Sequence, residues 1–275
     1  MLGALGRGSP VWRLGACTIL VMRVVLLQRD IVWADPARNW ALLDEAIGRH
    51  PGADLYVLPE MFSTGFATQP QGIAEEAPCA SLEWMKRKAA EIDAAIVGSV
   101  ALHENGRYYN REYFVKPDGE VSVYNKHHLF TYGGEHEYFT PGESRVVVEW
   151  RGVRFCMSVC YDLRFPVWLR CKDDYDVLIC VANWPTPRQM NFDILLRARA
   201  IENQCYVLGV NRVGNDAAGL DYTGGTAFIH PYGHVIERCE DFRECEIDAE
   251  LDMEPLVSSR ERFPVLSDAD PFELK

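Results

Sequence analysis

Apolar runs that do not alternate with polar residues constrain this chain most. Leu55-Tyr56-Val57-Leu58 is continuous, and Val177 to Ala182 repeats the pattern. A strand with one wet face alternates, whereas a continuous run suits a strand covered on both faces by helices or a second sheet. Helical segments are available to cover them. Asp35-Pro36 supplies a cap and a first-turn proline, Trp40, Leu43 and Ile47 follow at helical spacing, and His50-Pro51-Gly52 ends the segment. A second helix is expected from Ser81 to Glu91, with Leu82, Met85 and Ala89 on one face, and a third from about Gln189 to Gln204.

Further strands are expected at Val24 to Leu27, Ala95 to Val100 and Tyr206 to Val210. Two hairpins join Tyr109–Val115 to Val121–Tyr124 and Val146–Trp150 to Val153–Val159, and short strands follow near residues 225–229, 235–237 and 244–247. The fold class is therefore α/β, with helices flanking a large mixed sheet or two stacked sheets. With 275 residues and no low-complexity linker, residues 22–275 are expected to form one domain. Met1 to Arg29 contains no acid, and its apolar run is short and interrupted by Arg23. Residues 1–21 are accordingly expected to be an extension outside the domain, disordered or reflecting an upstream start, rather than a signal peptide.

Composition narrows the partners. A formal charge of −12 at pH 7, with no basic stripe, argues against a nucleic-acid backbone, which needs clustered Lys and Arg. No apolar stretch is long enough to suggest a membrane span. The nine cysteines are odd in number and lack paired spacing, which points to a reducing, cytoplasmic compartment rather than a disulfide framework.

Three segments place a reactive side chain directly after a strand, where open α/β sheets put their ligand sites. They are Leu58-Pro59-Glu60, Tyr124-Asn125-Lys126-His127-His128-Leu129-Phe130 and Ser158-Val159-Cys160-Tyr161-Asp162-Leu163-Arg164-Phe165-Pro166. Taken singly, a strand-end Cys is most often core packing, and a lone Glu or Lys is most often a solvated charge. Brought together, a carboxylate, an ammonium and a thiol make a base, an oxyanion stabiliser and a nucleophile. His127, His128 and His136 lack the Cys/His spacing of a structural zinc site.

In this order, the three motifs resemble those of the nitrilase superfamily of C–N hydrolases. Gly134-Glu135-His136 before Pro141-Gly142 is similar to the segment that supplies a second glutamate in many members. The resemblance implies a nitrilase-like four-layer α-β-β-α sandwich, commonly paired into homodimers or larger assemblies. It implies a catalytic set of Glu60, Lys126 and Cys160, with Glu135 orienting Lys126 or the hydrolytic water, and no metal or cofactor. Tyr161-Asp162 after the cysteine counts against nitrile hydrolysis, where Trp-Glu is usual. Asn183-Trp184-Pro185-Thr186-Pro187-Arg188 and Arg197 to Gln204 resemble the bacterial omega-amidase branch, whose substrates are 2-oxo acid amides such as 2-oxoglutaramate and 2-oxosuccinamate. Substrate contacts are then expected from Phe62, Tyr161 and Trp184 as pocket walls and from Arg188 as the carboxylate partner. The alternatives are an amidase for another small acyl amide such as deaminated glutathione, an N-carbamoyl hydrolase, or a catalytically silent scaffold. Glutamine amidotransferase chemistry would need a His partner for the cysteine.

Overall fold

The computed structural model describes residues 12–14 and 17–273. Most of the 1–21 extension, residues 1–11 and 15–16, lies outside the described residues; Trp12–Leu14 pairs antiparallel with Cys17–Ile19. The first long strand, β1 (Val21–Gln28), begins one residue earlier than the expected domain boundary.

β1 is followed by α1 (Pro36–Gly48), β2 (Leu55–Val57), α2 (Ala80–Ile92), β3 (Ala95–Glu104), β4 (Arg107–Val115) and β5 (Val121–Asn125). Asp35 caps α1 as its side chain accepts from the Arg38 N–H at 3.0 Å. The second half contains β6 (Val147–Trp150), β7 (Val153–Val159), β8 (Val177–Ala182), α3 (Gln189–Asn203), β9 (Tyr206–Asn211), β10 (Ala227–Ile229) and β11 (Val235–Arg238). β12 (Cys245–Asp252) and α4 (Glu254–Arg262) complete it.

The strands form two stacked sheets. One has the order β12-β1-β2-β3-β4-β5, and the other β11-β10-β9-β8-β7-β6. Each has three parallel strands at its centre, β1-β2-β3 and β7-β8-β9, flanked by antiparallel neighbours. Val24, Leu26, Val57, Val97 and Phe114 of the first sheet pack against Phe155, Met157 and Val159 of the second, forming the inter-sheet core. The opposite face of the first sheet, including Val25, Tyr56 and Ile96, is covered by Leu43 and Ile47 of α1 and Met85 and Ala89 of α2. α3 covers the second sheet through Phe192, Leu196 and Ala200. The architecture is thus an α-β-β-α sandwich.

Among the described residues no helix is long and apolar enough to cross a membrane. The eight cysteines with described side chains are free thiols. The expected set lacked α4, whose sequence is largely polar, the short hairpin Val213–Asn215/Asp221–Thr223, the pair Trp12–Leu14/Cys17–Ile19 and the two-residue strand Glu75–Glu76.

Gly209 on β9 sets how closely α3 approaches. A Cβ there would lie 2.6 Å from both methyls of buried Leu196. Gly209→Val should therefore destabilise the fold by about 1–3 kcal/mol through overpacking, which urea unfolding at pH 7 can measure. An unchanged midpoint would show that α3 has room to move.

Candidate active site

The sandwich brings four strand ends together. Glu60 follows β2, Lys126 follows β5, Cys160 follows β7 and Asn183 follows β8. Lys126 Nζ lies 3.0 Å from Glu60 Oε1 and 3.0 Å from Glu135 Oε2, with Lys126, Glu60 and Glu135 all essentially inaccessible to solvent. Both carboxylates have further donors. Asn110 Nδ2 reaches Glu60 Oε1 at 2.7 Å and Glu135 Oε1 at 3.2 Å. The Asn183 N–H donates to Glu60 Oε2 at 2.7 Å, and the Phe130 N–H donates to Glu135 Oε2 at 2.6 Å. Fixed donors of this kind hold buried charge that would otherwise be expelled to water.

Cys160 sits in the left-handed region at φ 46°, where the chain leaves β7 for a tight turn running to Arg164. A non-glycine residue held there signals strain that the surrounding structure must enforce. Its Sγ lies 3.9 Å from the Asn183 carbonyl oxygen and faces a cavity of about 370 Å³ that is also lined by Lys126. A larger cleft of about 480 Å³, between Arg170 and Phe272, contains none of these residues.

The electrostatics follow from burial. The Cys160 thiol is pushed well above its ordinary pKa by burial and then by the Glu60 charge, with Lys126 offsetting only part. Burial alone would lower the Lys126 pKa, but Glu135 and Glu60 outweigh it and raise it, so the side chain remains an ammonium. Glu135 is raised by burial and by Glu60, against the pull of Lys126. The resting site is therefore a neutral thiol beside an ammonium clamped by carboxyl groups.

The carbon-nitrogen hydrolase family model matches residues 23–261. The chain belongs to that family. It is 45% identical over 253 residues to omega-amidase YafV of Escherichia coli strain K12, covering 92% of this chain and 98% of that protein. It is 36% identical to the 2-oxoglutaramate amidase of Bacillus subtilis strain 168, covering 88% of this chain and 95% of that one. Among solved structures, the CN-hydrolase superfamily protein XC1258 of Xanthomonas campestris, which carries an arsenic adduct in its active site, superposes with a TM-score of 0.90. That match has 38% identity and covers 93% of this chain and all of that one. The chain is thus an enzyme that hydrolyses C–N bonds.

Of the residues expected to contact substrate in this carbon-nitrogen hydrolase, Tyr161, Trp184 and Arg188 line the cavity. Phe62 does not. It belongs to the helix-side core and packs on Trp84, with ring centroids 5.8 Å apart. Met61 intervenes at φ 45° and turns the chain, so the strand's alternation does not carry past Glu60. Phe66 takes the wall position instead, its ring 5.4 Å from Lys126 Nζ.

Sequence reasoning also missed Asn110 and gave Asp162 no role. Asn110 shares a face of β4 with buried Glu112 and Phe114, and two polar residues at inward positions break the apolar-in pattern, so alternation gave no signal for it. Buried Asp162 joins the cysteine turn to the lysine segment. Its Oδ1 accepts from the His128 N–H at 2.9 Å and lies 2.9 Å from His128 Nδ1; its Oδ2 accepts from the Tyr124 hydroxyl at 2.7 Å and the Val159 N–H at 3.1 Å. His127 and His128 stack on Trp168 and Phe165, which further pins the two segments together. Gly142 completes the support, because a Cβ there would lie 2.1 Å from the Asn125 carbonyl oxygen.

An acceptor-only group is needed where donors converge from every side. Asp162→Asn turns an NH₂ toward one of them and leaves it unpaired, so a stability loss of about 1–3 kcal/mol at pH 7 is expected in urea unfolding. Native-like stability in this variant would remove Asp162 as the joint between the two segments.

Proposed function

We propose that this carbon-nitrogen hydrolase cleaves the terminal carboxamide of a small 2-oxo acid amide, with 2-oxoglutaramate and 2-oxosuccinamate as the leading substrates. The observation that carries the reading is a cavity that holds Cys160 and Lys126 together with two guanidiniums, Arg164 and Arg188. Among the described residues neither arginine enters an ion pair. Arg164 lies over the Trp184 ring at 4.8 Å, and Arg188 lies over the Phe130 ring at 5.3 Å. Such cations suit a substrate carboxylate, whose desolvation is costly unless N–H donors replace its water. The names of the E. coli and B. subtilis relatives support the same substrate class.

Glu60 takes the Cys160 proton as the sulfur adds to the amide carbon. The Lys126 ammonium and the backbone N–H of Tyr161 receive the negative charge that develops on the carbonyl oxygen. The C–N bond then breaks, and ammonia leaves with the proton that Glu60 returns. Glu60 next removes a proton from water, which attacks the thioester carbon, and the acid departs as Cys160 regains its proton. Because the resting thiol is neutral, proton removal accompanies attack rather than preceding it. Glu135 acts by fixing Lys126.

Purified enzyme should release ammonia from these two amides faster than from neutral amides of equal length or from N-carbamoyl acids. Cys160→Ala should abolish release, and Glu60→Gln should lose about 10²–10⁴-fold in rate. If Lys126→Ala altered KM alone, its part in holding the oxyanion would be wrong. Arg188→Met should cost about 2–5 kcal/mol in kcat/KM with the acid amide and far less with a neutral one. Equal losses on both substrates would remove Arg188 as the carboxylate partner.

A further inference from the structure

Glu112 is a second inward-facing polar residue on β4, two residues beyond Asn110 and on the same face of the strand. It is completely buried, and among the described residues neither carboxyl oxygen has a hydrogen-bond partner. Among the described residues no positive charge is found acting on it. Its register neighbours are Ser99 on β3 and Tyr124 on β5, and the charges acting on it are Asp162, from the turn after β7, and Glu60, from the end of β2. Cys180 on β8 also feels it. Burial first, then Asp162 and Glu60, raises its pKa well above the carboxylate range. An ionised carboxylate here would be an unpaired buried charge beside two others, one of the costliest arrangements in a protein interior.

We propose that Glu112 is carried as the uncharged carboxylic acid and is a positioning residue that acts through Glu60, its neutrality leaving Glu60 able to give a proton back during turnover. The inference rests on the amide-hydrolysis reading only for its kinetic part. If Glu112 ionises, a like charge stands beside Glu60, and a proton taken from Cys160 is held there more tightly. Hand-over to the leaving nitrogen then slows. The amidase consequently has an alkaline limit set by a residue that never touches the substrate.

Two measurements test this, one of them without substrate. A buried acid that keeps its proton in the folded state, while the unfolded chain has lost it, makes stability fall as pH rises through the window above the ordinary carboxylate pKa. In urea unfolding between about pH 5.5 and 8, the folding constant of the native protein should fall relative to Glu112→Gln by about tenfold per pH unit. Parallel stability profiles would overturn the uncharged state. In the second measurement, the alkaline limb of the kcat/KM profile with 2-oxoglutaramate should move up by roughly one pH unit or more in Glu112→Gln. A merely structural role would lower stability or activity without moving that limb. Coincident limbs would overturn the link to Glu60 even if the stability difference is present. Should Glu112→Gln fail to fold, Glu112→Met, which also cannot ionise, must show the same two differences or the proposal falls. Native enzyme that releases no ammonia from any amide would instead defeat the reaction assignment and leave the stability arm to decide the state of Glu112.

Discussion

Everything at the site depends on one buried ammonium held between two carboxyl groups. Lys126, Glu60 and Glu135 sit in a region from which water is excluded, where an isolated charge is expensive and an opposed pair is stable only if its remaining atoms are also satisfied. The satisfying groups come from distant parts of the chain: Asn110 from β4, the Phe130 N–H from the lysine segment and the Asn183 N–H from the end of β8. A shift in either sheet would therefore leave a buried charge without its partner. Stability and the geometry of the site are coupled here because the same hydrogen bonds serve both.

The two-sheet arrangement explains why the partners can meet. The parallel centres of both sheets deliver their strand ends to one edge of the sandwich, so the carboxylate from β2 and the thiol from β7 approach across the inter-sheet layer. At two of these ends the backbone turns sharply. Met61 at φ 45° and Cys160 at φ 46° both occupy the left-handed region, which costs free energy for a residue with a side chain. Met61 is offset by a hydrogen bond from its N–H to Ser99 Oγ at 2.9 Å, and the turn of Cys160 by the donors gathered on Asp162. The core supplies the rigidity that keeps these turns in place.

Much of this was legible in the sequence, for reasons that differ by residue. Val153–Val159 and Val177–Ala182 have the bounds that the apolar pattern and turn residues suggest, and Asp35-Pro36 opens α1 as a cap and first-turn proline should. Cys160 and Lys126 were visible because each lies inside a long motif rather than standing alone. Phe62 was expected at the pocket wall from its place in the glutamate motif, but the turn at Met61 sends it into the helix-side core and Phe66 lines the cavity instead. The Val213–Asn215/Asp221–Thr223 hairpin, beside which Asp216, Leu220 and Tyr222 line the cavity, has too short a polar pattern to register as strands. Glu112 was invisible in another way. A charged residue at an inward strand position violates the local rule, and only the fold reveals that among the described residues its oxygens have no partner.

An overall charge of −12 would repel an anionic amide if all charges acted at long range. At physiological ionic strength the screening length is about 8 Å, so most surface acids contribute little inside the cavity. Arg164 and Arg188 line the cavity among apolar walls, and on the proposed reading their N–H groups replace the water of a substrate carboxylate at contact distance, where screening is weak. Asp216 also lines the cavity, but its carboxylate already accepts from the Ala218 and Leu220 N–H groups and the Tyr222 hydroxyl. Its charge is therefore partly spread over fixed donors before a substrate arrives. On the proposed reading the local field, rather than the total charge, decides which amides the site admits, and two cavity-lining guanidiniums suit one whose far end is negative.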